Sequence, residues 1–189
     1  MNIREFAFNL QKLYEEMGQA FSTYQKTTGL NCMSGCGRCC LNPDVEASIL
    51  EMLPLALRIY DEKNVNEWIN RLETSEQESC LLYQSVSEGK GQCGFYQERP
   101  SICRMFGVAG SLDKRKEVVL SICKFLKEEY PEKIESLKTE KKADAPILMH
   151  WSSRLTALHP ELTKERYAIN DALRRALEKV AFYAQYQKI

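Results

Sequence analysis

From residue 3 onward, apolar side chains recur every three or four positions: Ile3, Phe6, Leu10, Leu13, Met17, Phe21 and Tyr24. One apolar stripe of that period predicts an amphipathic packing helix over 2–28, with Gly29 as its stop. A loop carrying cysteines follows and runs to Asn42-Pro43. Asp44 is read as the N-cap of a second helix over 45–60, with Ile49, Met52, Leu53, Ala56 and Leu57 facing inward and Pro54 kinking or splitting it. Asn64-Val65-Asn66-Glu67 resembles a capping box that opens a short helix bearing Trp68, Ile69 and Leu72.

Periodicity then lapses. Residues 74–94 turn polar and small, with Gly89-Lys90-Gly91 as a loop signal, interrupted by the buried touchpoint Cys80-Leu81-Leu82-Tyr83. Residues 104–109 and 117–122, the second carrying Val118-Val119-Leu120, are expected to pair as a hairpin around Ser111-Leu112-Asp113-Lys114. Helical periodicity returns after Cys123. Pro131 suits the first turn of a helix reaching about residue 138, Asp144-Ala145-Pro146 starts another through Leu148, Trp151 and Leu155, and Thr163 caps a last one with Ile169, Leu173, Leu177, Val180 and Tyr183 inward. The expected fold is mainly α: a single domain over 1–189, with a helical body, a cysteine-rich, loop-dominated centre over roughly 30–125 and one small β-hairpin.

Composition narrows the function more than the fold. At 189 residues with 44% apolar side chains, the chain can bury a core without cross-links, so its cysteines are not needed to compensate for small size. The 26 basic and 26 acidic residues cancel, which offers no general attraction to nucleic acid or to an anionic membrane. The first residues lack the basic-then-apolar pattern of a signal peptide, and no run approaches the length of a membrane span. A cytoplasmic location is therefore expected, where thiols stay reduced and metal ligation is favoured over disulfides.

The eight cysteines carry the chemistry. Cys32, Cys36, Cys39 and Cys40 fall within nine residues, and Cys80, Cys93, Cys103 and Cys123 follow, with none outside 32–123. Cysteines used only for packing would not segregate in this way. Cys36-Gly37-Arg38-Cys39 has the two-residue spacer with which a tight turn presents two sulfurs to one ion. Cys32 adds a third thiol, and Cys93 or Cys103 is the natural fourth. Adjacent Cys39 and Cys40 are expected to diverge, leaving Cys40 to join Cys80, Cys123 and another thiol in a second site or to serve as a core residue. Zinc and iron–sulfur clusters both accept four thiolates, and the spacing does not separate them.

Other residues are less informative. Cys80 and Cys123 could each be small buried hydrophobes. His150 and His159 read as surface or helix-end residues, far in sequence from the cysteines. Arg99 and Arg104 either offset thiolate charge or brace the loop. No serine or cysteine nucleophile with a histidine partner and no phosphate loop can be identified, so no catalytic residue is assigned.

Cys32-x3-Cys36-x2-Cys39-Cys40, together with Cys93-Gly94-Phe95-Tyr96-Gln97-Glu98-Arg99-Pro100-Ser101-Ile102-Cys103-Arg104-Met105-Phe106, resembles the YkgJ-type cysteine-cluster proteins, described as zinc- or iron-chelating domains. The aromatic-x2-Arg-Pro-x2-Cys-Arg portion is the more distinctive half. The resemblance implies metal binding by Cys32, Cys36, Cys39, Cys40, Cys80, Cys93, Cys103 and Cys123, with zinc or iron in one or two thiolate sites. A similar cluster in the flagellin lysine methylase implies, as the alternative, an iron–sulfur enzyme of redox or methyl-transfer chemistry. The first spacing here is three rather than two, and Cys80 lacks the usual following proline; both departures bear on ligand pairing. Cys32-x3-Cys36-x2-Cys39 also matches the radical S-adenosylmethionine spacing, but Arg38 stands where those enzymes carry an aromatic residue and the chain lacks their strand–helix alternation.

Overall fold

The computed structural model describes residues 2–140 and 144–187. The long helix α1 (Ile3–Thr28) starts on Asn2, whose side chain accepts from the Arg4 N–H, and ends at Gly29 in the left-handed region. Its stripe is the expected one, widened by Ala7 and Tyr14, with Phe6 half-buried at its margin.

The second helix begins later than the apolar pattern suggests. Glu46–Ala47 (β1) is extended and pairs antiparallel with Tyr167–Ala168 (β6), so helix α2 (Ile49–Asp61) starts on Ser48 instead of Asp44. Ser48 and Glu51 form a complete capping box, while the Asp44 N–H merely closes a turn on Asn42 Oδ1 at 3.1 Å. Pro54 does not split α2. It is the sixth helical residue, and its missing N–H leaves only the Leu50 carbonyl without its usual partner. Leu50, Met52, Leu53, Leu55, Ala56 and Ile59 are all buried, so α2 forms the centre of the body, with Arg58 exposed on its polar edge.

Helix α3 (Val65–Thr74) begins where expected, but the Asn64 side chain makes no capping bond, because Asn64 lies outside the extended region that an N-cap needs. Residues 74–94 are not all loop. Tyr83–Ser87 (β2) and Lys90–Cys93 (β3) form a hairpin that turns at Gly89, a feature missed because its outward residues are polar and its strands are short. The second expected hairpin exists, but its first strand starts later. Residues 104 and 105 belong to helix α4 (Ser101–Met105), and the ladder joins β4 (Val108–Leu112) to β5 (Val118–Ile122).

The C-terminal half is helical: α5 (Lys124–Glu129), α6 (Pro131–Glu140), α7 (Leu148–Leu158), α8 (Pro160–Thr163) and α9 (Ile169–Gln187). Pro131 opens α6 as expected. The start of α7 is displaced from residues 144–146, because Pro146 accepts from the Gly110 N–H and Ile147 bridges to Gly110 before the helix begins. Thr163 does not cap the last helix. It ends α8, donating to the carbonyls of His159 and Pro160, and α9 instead follows directly on β6.

Helices α2 and α9 make the main contact of the body, each leading from one strand of the β1–β6 ladder. Ala172, Leu173, Ala176, Leu177 and Val180 of α9 close on α2, with α1 and α3 packed around the pair. A smaller cluster of Tyr24, Leu30, Val108, Ile134, Leu137 and Ala145 joins the end of α1 to the β4–β5 hairpin and α6. The protein is mainly α, as the pattern predicted, and the described residues hold three two-stranded sheets where one hairpin was expected. No described helix is long and apolar enough to cross a membrane.

Candidate metal centre

All eight cysteines are free thiols, and they reach one region from four pieces of chain. The first piece leaves α1 at Gly29, is anchored by the fully buried Leu30 and turns so that the Cys36 N–H donates to the Met33 carbonyl. Gly37, in the left-handed region, leads into a short 3-10 turn over Arg38–Leu41. Only glycine fits at 37: a Cβ there would lie 2.6 Å from the Gly91 carbonyl oxygen and 2.7 Å from the Tyr83 ring. The 3-10 turn also corrects the expected divergence of Cys39 and Cys40. Within it the Cys40 thiol hydrogen-bonds to the Cys39 sulfur.

The second piece is the Cys80 loop and β2–β3 hairpin. The Cys80 N–H donates to the Cys40 carbonyl at 2.9 Å, and Cys93 stands opposite Tyr83 in the ladder. The Gly91 N–H donates to the Gly35 carbonyl at 2.9 Å, tying this hairpin to the first loop. Asn170 of α9 holds the loop from outside, accepting from the Leu81 N–H and donating to the Ser79 carbonyl. The third piece is α4, with Cys103 in its first turn. The fourth is the end of β5, where the Cys123 N–H donates to the Gly107 carbonyl at 2.8 Å. Gly107 has φ 106°, and a Cβ on it would stand 3.2 Å from Cys32 Sγ, so this glycine lets Cys32 approach the Cys123 segment.

Two neighbourhoods result. Cys32 is close enough to Cys123, Cys36 and Cys39 for their charges to raise its pKa, although burial is the larger cause. Cys40, Cys80, Cys93 and Cys103 form a more buried group around Cys39. Burial is the first cause that holds the Cys80 thiol up at about 11 and raises Cys93 and Cys103, while the hydrogen bond to Cys39 is the first cause that raises Cys40. Cys39 goes the other way: the Cys40 thiol donates to it and Arg99 adds positive charge, lowering it to about 6. Among the described residues, no three His, Cys, Asp or Glu side chains stand in a closed metal-binding arrangement.

The two arginines divide the roles that the sequence left open. Arg104 braces the loop, donating from Nε to the Arg99 carbonyl at 2.9 Å and from Nη2 to the Gln97 carbonyl, with its guanidinium over the Tyr14 ring. Arg99 offsets thiolate charge. It lowers the pKa of Cys32, Cys39, Cys93 and Cys103, stacks on Tyr96 and keeps a buried Nε with no hydrogen-bond partner. The histidines are helix-end residues, as expected: His159 accepts the Leu162 N–H at the start of α8, and His150 sits in the first turn of α7 beside Trp151. Spacing and residue type did not point to Gly107 or Glu51. Gly107 has no motif around it, while Ser48-x-x-Glu51 is a legible capping signal.

Residues 31–131, just over half of the chain, match the model of the CxxCxxCC family, described as a putative zinc- or iron-chelating domain. The chain belongs to this family. The matched segment contains all eight cysteines and α5, and excludes all of α1 and helices α7 to α9. No curated protein and no solved structure matches the chain.

Proposed function

We propose that the protein chelates zinc or iron through a two-lobed thiolate centre, with Cys39 at the junction. The observation that carries this reading is the position of Cys39, whose charge is felt by Cys32 on one side and by Cys40, Cys80, Cys93 and Cys103 on the other. The outer lobe comprises Cys32, Cys36 and Cys123, and the inner lobe Cys40, Cys80, Cys93 and Cys103. Cys39 completes four thiols on the outer side and can bridge to the inner one. The donor set fits the metals: thiolates are soft ligands that suit zinc and iron. The arginine beside them fits too, since four thiolates around a divalent ion leave about two negative charges.

A bound metal would fasten the four cysteine-bearing pieces of chain to one another, so its binding energy would be folding energy for this region. Cys40 and Cys80 also pack in the same apolar cluster as α1, α2 and α9, which supports treating the cysteine core and the helices as one domain. Elemental analysis of protein purified without oxygen, with Cys32→Ser, Cys103→Ser and Cys39→Ser alongside, tests the reading. The expectation is two or more metal ions per chain, partial loss in the first two variants and the greatest loss in Cys39→Ser. A single ion that survives Cys39→Ser overturns the shared junction, and wild-type protein without metal overturns the function.

A further inference from the structure

Glu51 is a carboxylate in the apolar centre of the body, only 1% exposed. Its Oε2 accepts from the Ser48 N–H at 2.8 Å, from Ser48 Oγ at 2.9 Å and from Arg166 Nη1 at 3.2 Å. Its Oε1 accepts from Ser101 Oγ, another fully buried group. The capping box needs only the bonds to Ser48. The bond to Ser101 reaches fifty residues along the chain, to the first residue of α4, two positions before Cys103. The Glu51 carbonyl accepts from Tyr14 Oη at 3.1 Å, and the Tyr14 ring in turn carries the Arg104 guanidinium. One buried residue thus ties α1, α2, α4 and the β6 approach together.

We infer that Glu51 is a positioning residue for the metal centre: through Ser101 it fixes α4 and sets Cys103 where the inner lobe needs it. This rests on the reading of Cys103 as a ligand. A five-residue helix is too short to hold its own place, and a hydrogen bond to a buried carboxylate is strong and directional. Metal affinity is therefore linked to the helical body through this bond, beyond what packing alone would give.

The test is zinc affinity of the reduced full chain, stripped and titrated with zinc against a chromogenic chelator. Ser101→Ala removes one hydroxyl and is expected to weaken zinc binding about tenfold, the change that ~1.4 kcal/mol makes. Glu51→Gln should weaken it at least as much, and the double variant should bind no more weakly than Glu51→Gln alone. Val180→Ala serves as the control for general destabilisation, because it lies on α9 ten residues beyond Asn170, the α9 residue that holds the Cys80 loop. It should lower the melting temperature and leave zinc affinity unchanged. Wild-type zinc affinity in Ser101→Ala, with strong loss in Cys103→Ser, overturns the positioning role and leaves the metal centre standing. Equal weakening by Val180→Ala also overturns it. Unchanged affinity in Cys103→Ser removes Cys103 from the centre, and the inference falls with that assignment.

Discussion

The α2–α9 body and the cysteine segment are held together by different physics. In the body, two helices bury long apolar side chains against each other: Leu50, Leu53 and Ile59 on one, Leu173, Leu177 and Val180 on the other. That attraction scales with area and needs no particular partner. In the cysteine-bearing pieces, residues 30–42 and 80–123, the elements are short: a 3-10 turn of four residues, strands of four and five, and a helix of five. None of these can stabilise itself, and they meet through single backbone bonds such as Cys80 to Cys40 and Cys123 to Gly107. The body therefore carries the stability, and the cysteine segment depends on docking to it and on what its thiols bind.

The sharpest way to break this contrast is to remove metal. Chelator treatment under reducing conditions is expected to raise amide exchange in residues 31–42 and 80–123 by orders of magnitude, while the amides of α2 and α9 stay protected. Uniform loss across both regions, measured by hydrogen exchange, would merge them into one cooperative unit. Next in size, Leu177→Ala in the body should cost about 2–5 kcal/mol of unfolding free energy by denaturant titration, through lost burial and the cavity left behind. Its bound-metal count should not change.

A smaller effect follows from protonation. The Cys39 pKa of about 6 lies below the ordinary thiol value of 9.0, so its thiolate favours the folded state. That contribution is complete above pH 9 and is lost as pH falls through 6. Cys80 has the opposite sign: held at about 11, it stays protonated where an unfolded thiol ionises, so its contribution is lost as pH rises past 9. In metal-free protein at pH 7, one thiol should alkylate first, mapped by peptide mass to Cys39; uniform reaction of all eight would sink this assignment. Ser48→Ala removes the α2 cap and should cost ~1 kcal/mol. Least of all, Arg4→Ala breaks a solvent-exposed pair with Asp61 and should change stability by no more than about 1 kcal/mol.

The same division explains what could be read from the chain. The apolar stripes of α1 and α9 marked their faces correctly because 3.6-residue periodicity is a local record of burial. Asp44 failed as a cap and Thr163 failed as a start because both helix boundaries are set by the β1–β6 pairing, which joins residues over a hundred positions apart. The β2–β3 hairpin was missed because Gln84, Ser85 and Gln92 give no alternation to follow. Cys39 and Cys40 were expected to diverge because a 3-10 turn leaves no periodic signature over so few residues.

By itself, the sequence determined the helical class, the faces of the long helices and the cysteine-rich centre. Each of these is written in residue type and local spacing. The tertiary structure alone decided which thiols are neighbours, that the Cys40 thiol donates to Cys39, that Arg99 offsets charge while Arg104 braces, and that Glu51 reaches Ser101. Those facts depend on contacts between distant segments, set by how the apolar faces pack, and spacing along a chain carries no measure of that distance.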